Sequence, residues 1–190
     1  PTFLIKRLPL RFIYDNNYFN DKYQGVPIGG FTQMFEKMLD GIEVKLNQDY
    51  FKDKNHYDSI ADKVVYTGCI DEFFDYKYGE LGYRSLRFET DVLDMENYQG
   101  CAVINQCDHT EEYTRTVEHK HFEKVKTDHT VITREYPIEY KRGMIPYYPI
   151  NTKENAEMYD KYRKESKTLT NTIFGGRLAE YKYCLLYTSP

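Results

Sequence analysis

Four arginines in this chain stand among aromatic or glycine residues: Arg7 in KRLPLRF, Arg84 in LGYRSL, Arg115 in YTRTVE and Arg177 in FGGRLAE. A guanidinium stays charged and can grip two phosphate oxygens at once. Tyrosines close by in sequence, among them Tyr18, Tyr113, Tyr148 and Tyr183, add phenolic donors. A diphosphate needs such donors, because its charge must leave bulk water on binding. Any one of these arginines is more often half of a surface ion pair, so the residues suggest a phosphate ligand without identifying it.

Other chemistries find less support. The histidines are His56, His109, His119, His121 and His129. His119 and His121 alternate in an expected strand and would share a face, but no third ligand stands at metal-binding spacing. There is no GxSxG elbow, no cysteine in a catalytic context and no singled-out carboxylate pair. Cys69, Cys101, Cys107 and Cys184 form no CxxC pair; free, packed thiols and a reducing, cytoplasmic setting are the expectation. No GxGxxG or Walker A loop occurs, so a nucleotide cofactor would need its phosphate-binding turn from sequence outside this chain.

The positioning elements follow from periodicity. Phe31, Met34, Phe35, Met38 and Leu39 recur at helical spacing between Gly29–Gly30 and Asp40–Gly41, which predicts a helix with a core-packed stripe. Ile42, Val44 and Leu46 alternate as in a short strand, and residues 63–68 predict a buried strand ending in a glycine turn. This part suggests an α/β layer. From Leu81 on, RSLRFET, CAVIN, YTRTVEHKHF and HTVITREYP follow one another as strands without helices between them, which predicts a mostly antiparallel sheet. Residues 151–167 predict a surface helix capped by Asn151 and partly buried through Ala156, Tyr159 and Tyr162. Thr172–Phe174 then runs into Gly175–Gly176.

The 190 residues hold 20 tyrosines and no tryptophan, with 41% hydrophobic residues and a net charge of -4. That balance gives a nucleic-acid role no electrostatic support. No apolar run approaches the roughly 18–20 residues that span a bilayer. A tyrosine-rich cleft suits a ligand that is part ring and part polar.

The order Pro27-x-Gly29-Gly30, amphipathic helix, Val64-Val65-Tyr66-Thr67-Gly68 is similar to the middle of flavin amine-oxidase-like enzymes. The blocks KRLPLRF, DNNYFNDKYQGVPIGGFTQM, YGELGYRSL, NYQGCAVIN, YTRTVEHKHF, TVITREYP, IPYYPI and FGGRLAEYKY resemble, in that order, the UDP-galactopyranose mutase family. The resemblance implies FAD as cofactor and UDP-galactose as substrate. It implies isomerisation of UDP-galactopyranose and UDP-galactofuranose through a reduced-flavin N5–sugar adduct, serving galactofuranose supply for cell-surface polysaccharide. It implies Arg7 and Arg115 as catalytic cations at the diphosphate. Tyr18, Asn105, Tyr148 and Tyr183 become substrate contacts, and Gly176 and Arg177 flavin contacts. Arg84 lies in a family motif without an assigned role. A homodimer is compatible with the resemblance.

The implied fold is α+β with an α/β part. Residues 1–25 are a mobile active-site loop, 26–80 part of a FAD-binding domain, 81–150 an antiparallel-sheet substrate domain and 151–183 a return to the FAD-binding domain. Residues 184–190 depart from the family pattern and read as a non-native tail. The N-terminal Rossmann portion of the family is missing from the 190 residues. An incomplete, inactive and aggregation-prone fragment is therefore expected. An amine-oxidase-like flavin oxidoreductase and a non-catalytic sugar-nucleotide binding fragment are the alternatives.

Overall fold

A computed structural model describes residues 12–13 and 21–182. The chain divides into two compact units, Pro1–Val44 and Lys45–Pro190.

In the first unit, Gly29 and Gly30 both adopt positive φ, 80° and 86°, a region that side chains disfavour. They launch α1 (Gly30–Met38). The expected periodicity is present, but none of its residues is buried. Phe31 and Met38 are 55% and 64% exposed, so the predicted core stripe is not buried among the described residues. Residues 42–46 form turns and coil instead of the expected strand. Three alternating apolar residues cannot hold a strand without a neighbour to bond their amides.

The second unit starts with a 3-10 turn (Tyr50–Lys52) and α2 (Lys54–Ile60). Then come β1 (Val64–Tyr66) and α3 (Ile70–Phe73). The long β2 (Tyr83–Leu93) follows, with β3 (Val103–Asn105), β4 (Arg115–Glu118), α4 (Lys120–Glu123), β5 (Thr130–Glu139) and β6 (Tyr148–Pro149). The described chain closes with α5 (Lys153–Ser166), β7 (Thr172–Phe174) and α6 (Gly176–Ala179).

Two sheets result. One has five strands in the order β3-β4-β5-β2-β6, and every pairing in it is antiparallel, as the uninterrupted run of strand-like segments predicts. The other is the parallel pair β1–β7, with Val65 opposite Ile173. Helices and strands are thus mixed in an α+β arrangement. Among the described residues no helix is long and apolar enough to cross a membrane.

The core lies where one end of β2 meets α3, α5 and α6: Ile70, Leu81, Tyr83, Tyr162 and Tyr181 pack with Cys69. Much of it is tyrosine, and the phenols find partners there. Tyr162 Oη donates to Gly79 O at 2.7 Å and accepts from Tyr78 N at 3.0 Å. Tyr181 Oη lies 3.0 Å from Ile150 O and also bonds Gly82 O. Tyr83 Oη donates to buried Asp71, which also accepts from Leu81 N. Burial drives the Tyr83 phenol far above its ordinary range and raises the Asp71 carboxyl.

Three further expectations are corrected. The cap of α5 is Thr152, whose hydroxyl accepts from Asn155 N, one residue after Asn151; Tyr162 is fully buried and Ala156 exposed. The strand through YTRTVEHKHF stops at Glu118, and His121 lies in α4. The two histidines therefore do not alternate along a strand. Of the cysteines, Cys69 is buried whereas Cys101 and Cys107 are exposed; burial pushes the Cys69 thiol up to about 12, so it stays protonated and inert.

Candidate functional site

Side chains on a strand alternate between faces, and cross-strand partners share one. The register puts Asn105 opposite Arg115 and Arg115 opposite Glu135. It also puts Arg84 opposite Tyr148. Glu135 and Arg84 occupy the same face of the β2–β5 pair, an even number of steps apart. One face of the sheet therefore carries Asn105, Arg115, Glu135, Arg84 and Tyr148. Residues from positions 84 to 148 meet there because the strand order interleaves them.

Arg115 is held from two sides. Its Nε donates to Asn105 Oδ1 at 3.0 Å, and its Nη1 lies 3.5 Å from Glu135 Oε2. Neither bond occupies Nη2, so part of the fork remains for an anion. Arg84 is exposed and forms no ion pair among the described residues, although Glu139 lies opposite it. Arg84, Thr114, Arg115, Glu135, Pro137 and Tyr148 line an open cleft of about 330 Å³. Two guanidiniums and a phenol beside one partly neutralising carboxylate make a surface suited to a polyanion.

Arg177 adjoins this cleft. From α6 its Nη1 donates to Tyr147 O at 3.1 Å, and its guanidinium carbon lies 5.0 Å from the Tyr148 ring centre, within cation–π range. Gly176, just before it, has φ +81°. Among the described residues, a side chain at Gly175 would meet nothing within 4 Å, and one at Gly176 only Thr67 at 3.8 Å. The C-terminal ends of β1 and β7 thus carry Thr67–Gly68 and Gly175–Gly176, with space among the described residues at the backbone of Gly175 and Gly176. Ligands of open α/β sheets sit at such strand ends.

The expected site residues divide accordingly. Asn105, Arg115, Tyr148, Gly176 and Arg177 lie around one continuous region, joined by Arg84. Arg7, Tyr18 and Tyr183 lie outside the described residues. Asn105, expected as a substrate contact, holds Arg115. Glu135 received no role from the sequence, because the signal that finds it is cross-strand register and not spacing along the chain. Among the described residues no group of three or more potential metal ligands forms.

The family model for UDP-galactopyranose mutase matches residues 1–183. The chain is 37% identical over 189 residues to dTDP-fucopyranose mutase of Escherichia coli, covering 96% of this chain and 50% of that protein. It is 39% identical over 186 residues to the Klebsiella pneumoniae protein described as "Probable UDP-galactopyranose mutase", covering 96% of this chain and 47% of that one. With UDP-galactopyranose mutase of Mycoplasma pneumoniae it shares 32% identity over 200 residues, 95% of this chain and 49% of that protein. The chain spans about half the length of these curated relatives. By the extent of the match, which includes every described strand of the cleft, the chain belongs to the UDP-galactopyranose mutase family.

Proposed function

We propose that this chain supplies the diphosphate-binding side of a UDP-galactopyranose mutase that isomerises UDP-galactopyranose and UDP-galactofuranose. The observation that carries this reading is the convergence of Arg84, Arg115 and Tyr148 on one cleft whose Tyr148 wall touches Arg177. Breaking the bond between sugar and phosphate leaves negative charge on the pyrophosphate. Fixed cations stabilise that charge most where water is excluded. Arg115, aimed by Asn105 and Glu135, is the described catalytic cation, and Arg7 is the second. Tyr18, Tyr148 and Tyr183 donate to phosphate oxygens, while Asn105 keeps a share in substrate contact.

FAD fits the open glycine ends of the parallel pair, with Gly176 and Arg177 as its contacts. When bound, it supplies the nucleophile for the anomeric carbon. In this reading residues 26–80 and 151–183 belong to a flavin-binding layer with further strands beside β1 and β7. Residues 81–150 form the substrate domain, and residues 1–25 form a loop that closes over the diphosphate. Exposed Cys101 and Cys107 thiols suit a reducing compartment such as the cytoplasm.

Calorimetric titration of the 190-residue chain with UDP and with uridine tests the reading. UDP should bind and uridine should bind far more weakly, because the phosphates carry the recognition. Equal affinities, or no binding of UDP at all, would overturn it.

A further inference from the structure

Three residues beyond Arg115 on the same strand, Glu118 is fully buried. Its carboxylate takes the backbone amides of Tyr98 at 3.0 Å, Gln99 at 2.8 Å and Gly100 at 3.3 Å, and the Thr130 hydroxyl at 2.7 Å. His121 Nε2 from α4 stands 3.1 Å away and is, among the described residues, the titratable group that faces it. The backbone amide of Glu118 donates to Ala102 O at 2.9 Å, and the Gln99 side chain bonds Cys101 O and Thr116 O. The whole approach to β3 is therefore tied to β4 around one carboxylate.

β3 needs such a tie. It has three residues and, among the described residues, is an edge strand paired only with β4. A slip of one residue would turn its side chains to the opposite face. Asn105 would then leave Arg115, and the guanidinium would lose the bond to its Nε. From this geometry we infer that Glu118 is a positioning residue: by clamping residues 98–102 to β4 it sets the register of β3, and so keeps Asn105 on Arg115. The inference rests on the proposed role of Arg115, but the clamp itself can be examined without any ligand.

Glu118 owes its charge to the clamp. Burial alone would raise its pKa, yet the Gln99 and Tyr98 amides, Thr130 and His121 together hold it at about 2. The clamp is thus intact at neutral pH and opens only in strong acid.

Amide NMR of the 190-residue chain reads the coupling. In Glu118→Gln at neutral pH, the amides of 98–100 should lose exchange protection, and the Asn105 side-chain amide and Arg115 Nε–H signals should shift with them. In the unsubstituted chain the same signals should move together as acid approaches about pH 2. This second measurement stands even where the variant does not fold. An acid response of these signals that persists unchanged in Glu118→Gln overturns the inference. Opening at 98–100 with Asn105 and Arg115 unmoved overturns the inference. So does loss of the core amides Leu81 and Tyr83 in the same step, which marks collapse of the whole fold. Failure of UDP to bind, with this coupling present, would count against the substrate reading and leave the clamp in place.

Discussion

The antiparallel sheet and the parallel pair are built from the same kinds of residue and end differently. At one end the five-stranded sheet is sealed by the tyrosine core under Tyr83. At the other, Ile132, Thr116 and Glu118 are closed over. The parallel pair is covered on one side, where Tyr66 and Phe174 meet Phe73, and bare on the other, where Val65 and Ile173 are 65% and 54% exposed. Parallel strands are normally buried on both faces, and among the described residues no third strand joins either edge. The contrast teaches that the antiparallel sheet closes a core at its Tyr83 end and around Glu118, whereas the parallel pair leaves one strand face bare.

The sharpest way to break the contrast is to damage the sealed layer. Tyr162→Ala empties a fully buried site and frees Gly79 O and Tyr78 N; a loss of about 3–5 kcal/mol in urea unfolding is expected. A loss below about 1 kcal/mol would mean that this core does not hold the unit together.

Acid should act on the same layer. The pKa of Glu118 lies below its ordinary 4.5, at about 2 when folded. Its contribution is therefore complete above about pH 5 and disappears as pH falls toward 2, amounting to roughly 3 kcal/mol. Glu118→Gln should already lack that contribution at neutral pH and show a flatter acid limb, which denaturation at a series of pH values would reveal.

At the cleft, Arg115→Ala removes a charge-assisted contact of about 1.5–3 kcal/mol, so UDP affinity should fall by roughly 10- to 150-fold. Arg84→Ala should weaken UDP less, because no bonding in the sheet aims its guanidinium. Reversal of that order in calorimetry would reassign the principal cation.

The smallest effect belongs to the bare layer. Val65→Thr should change unfolding stability by no more than about 0.5 kcal/mol, while Ile173→Lys should reduce self-association in light scattering. A large loss of stability from Val65→Thr would show that this face is covered after all.

Much of the architecture was legible before any coordinates. Periodicity located α1, α5 and the run of antiparallel strands, since helix and strand spacings of apolar residues are local properties of the chain. It failed where the local pattern has no matching strand or core among the described residues. Ile42, Val44 and Leu46 alternate yet form no strand, and Phe31, Phe35 and Met38 are exposed. It failed again at His119, because the strand through YTRTVEHKHF ends where the Glu118 carboxylate gathers the 98–100 amides, a contact across 20 positions.

The site divides in the same way. Sequence by itself determined the family and singled out Arg7, Arg115 and Arg177 as candidates, because residue type and ordered motifs carry chemical identity. Tertiary structure alone decided that Glu135 and Asn105 hold Arg115, that Tyr148 joins Arg84 to Arg177, and that a buried glutamate sets an edge strand. Those facts depend on which strands lie side by side and in what register, and hydrogen bonds between strands are chosen by the packed fold rather than by neighbours along the chain.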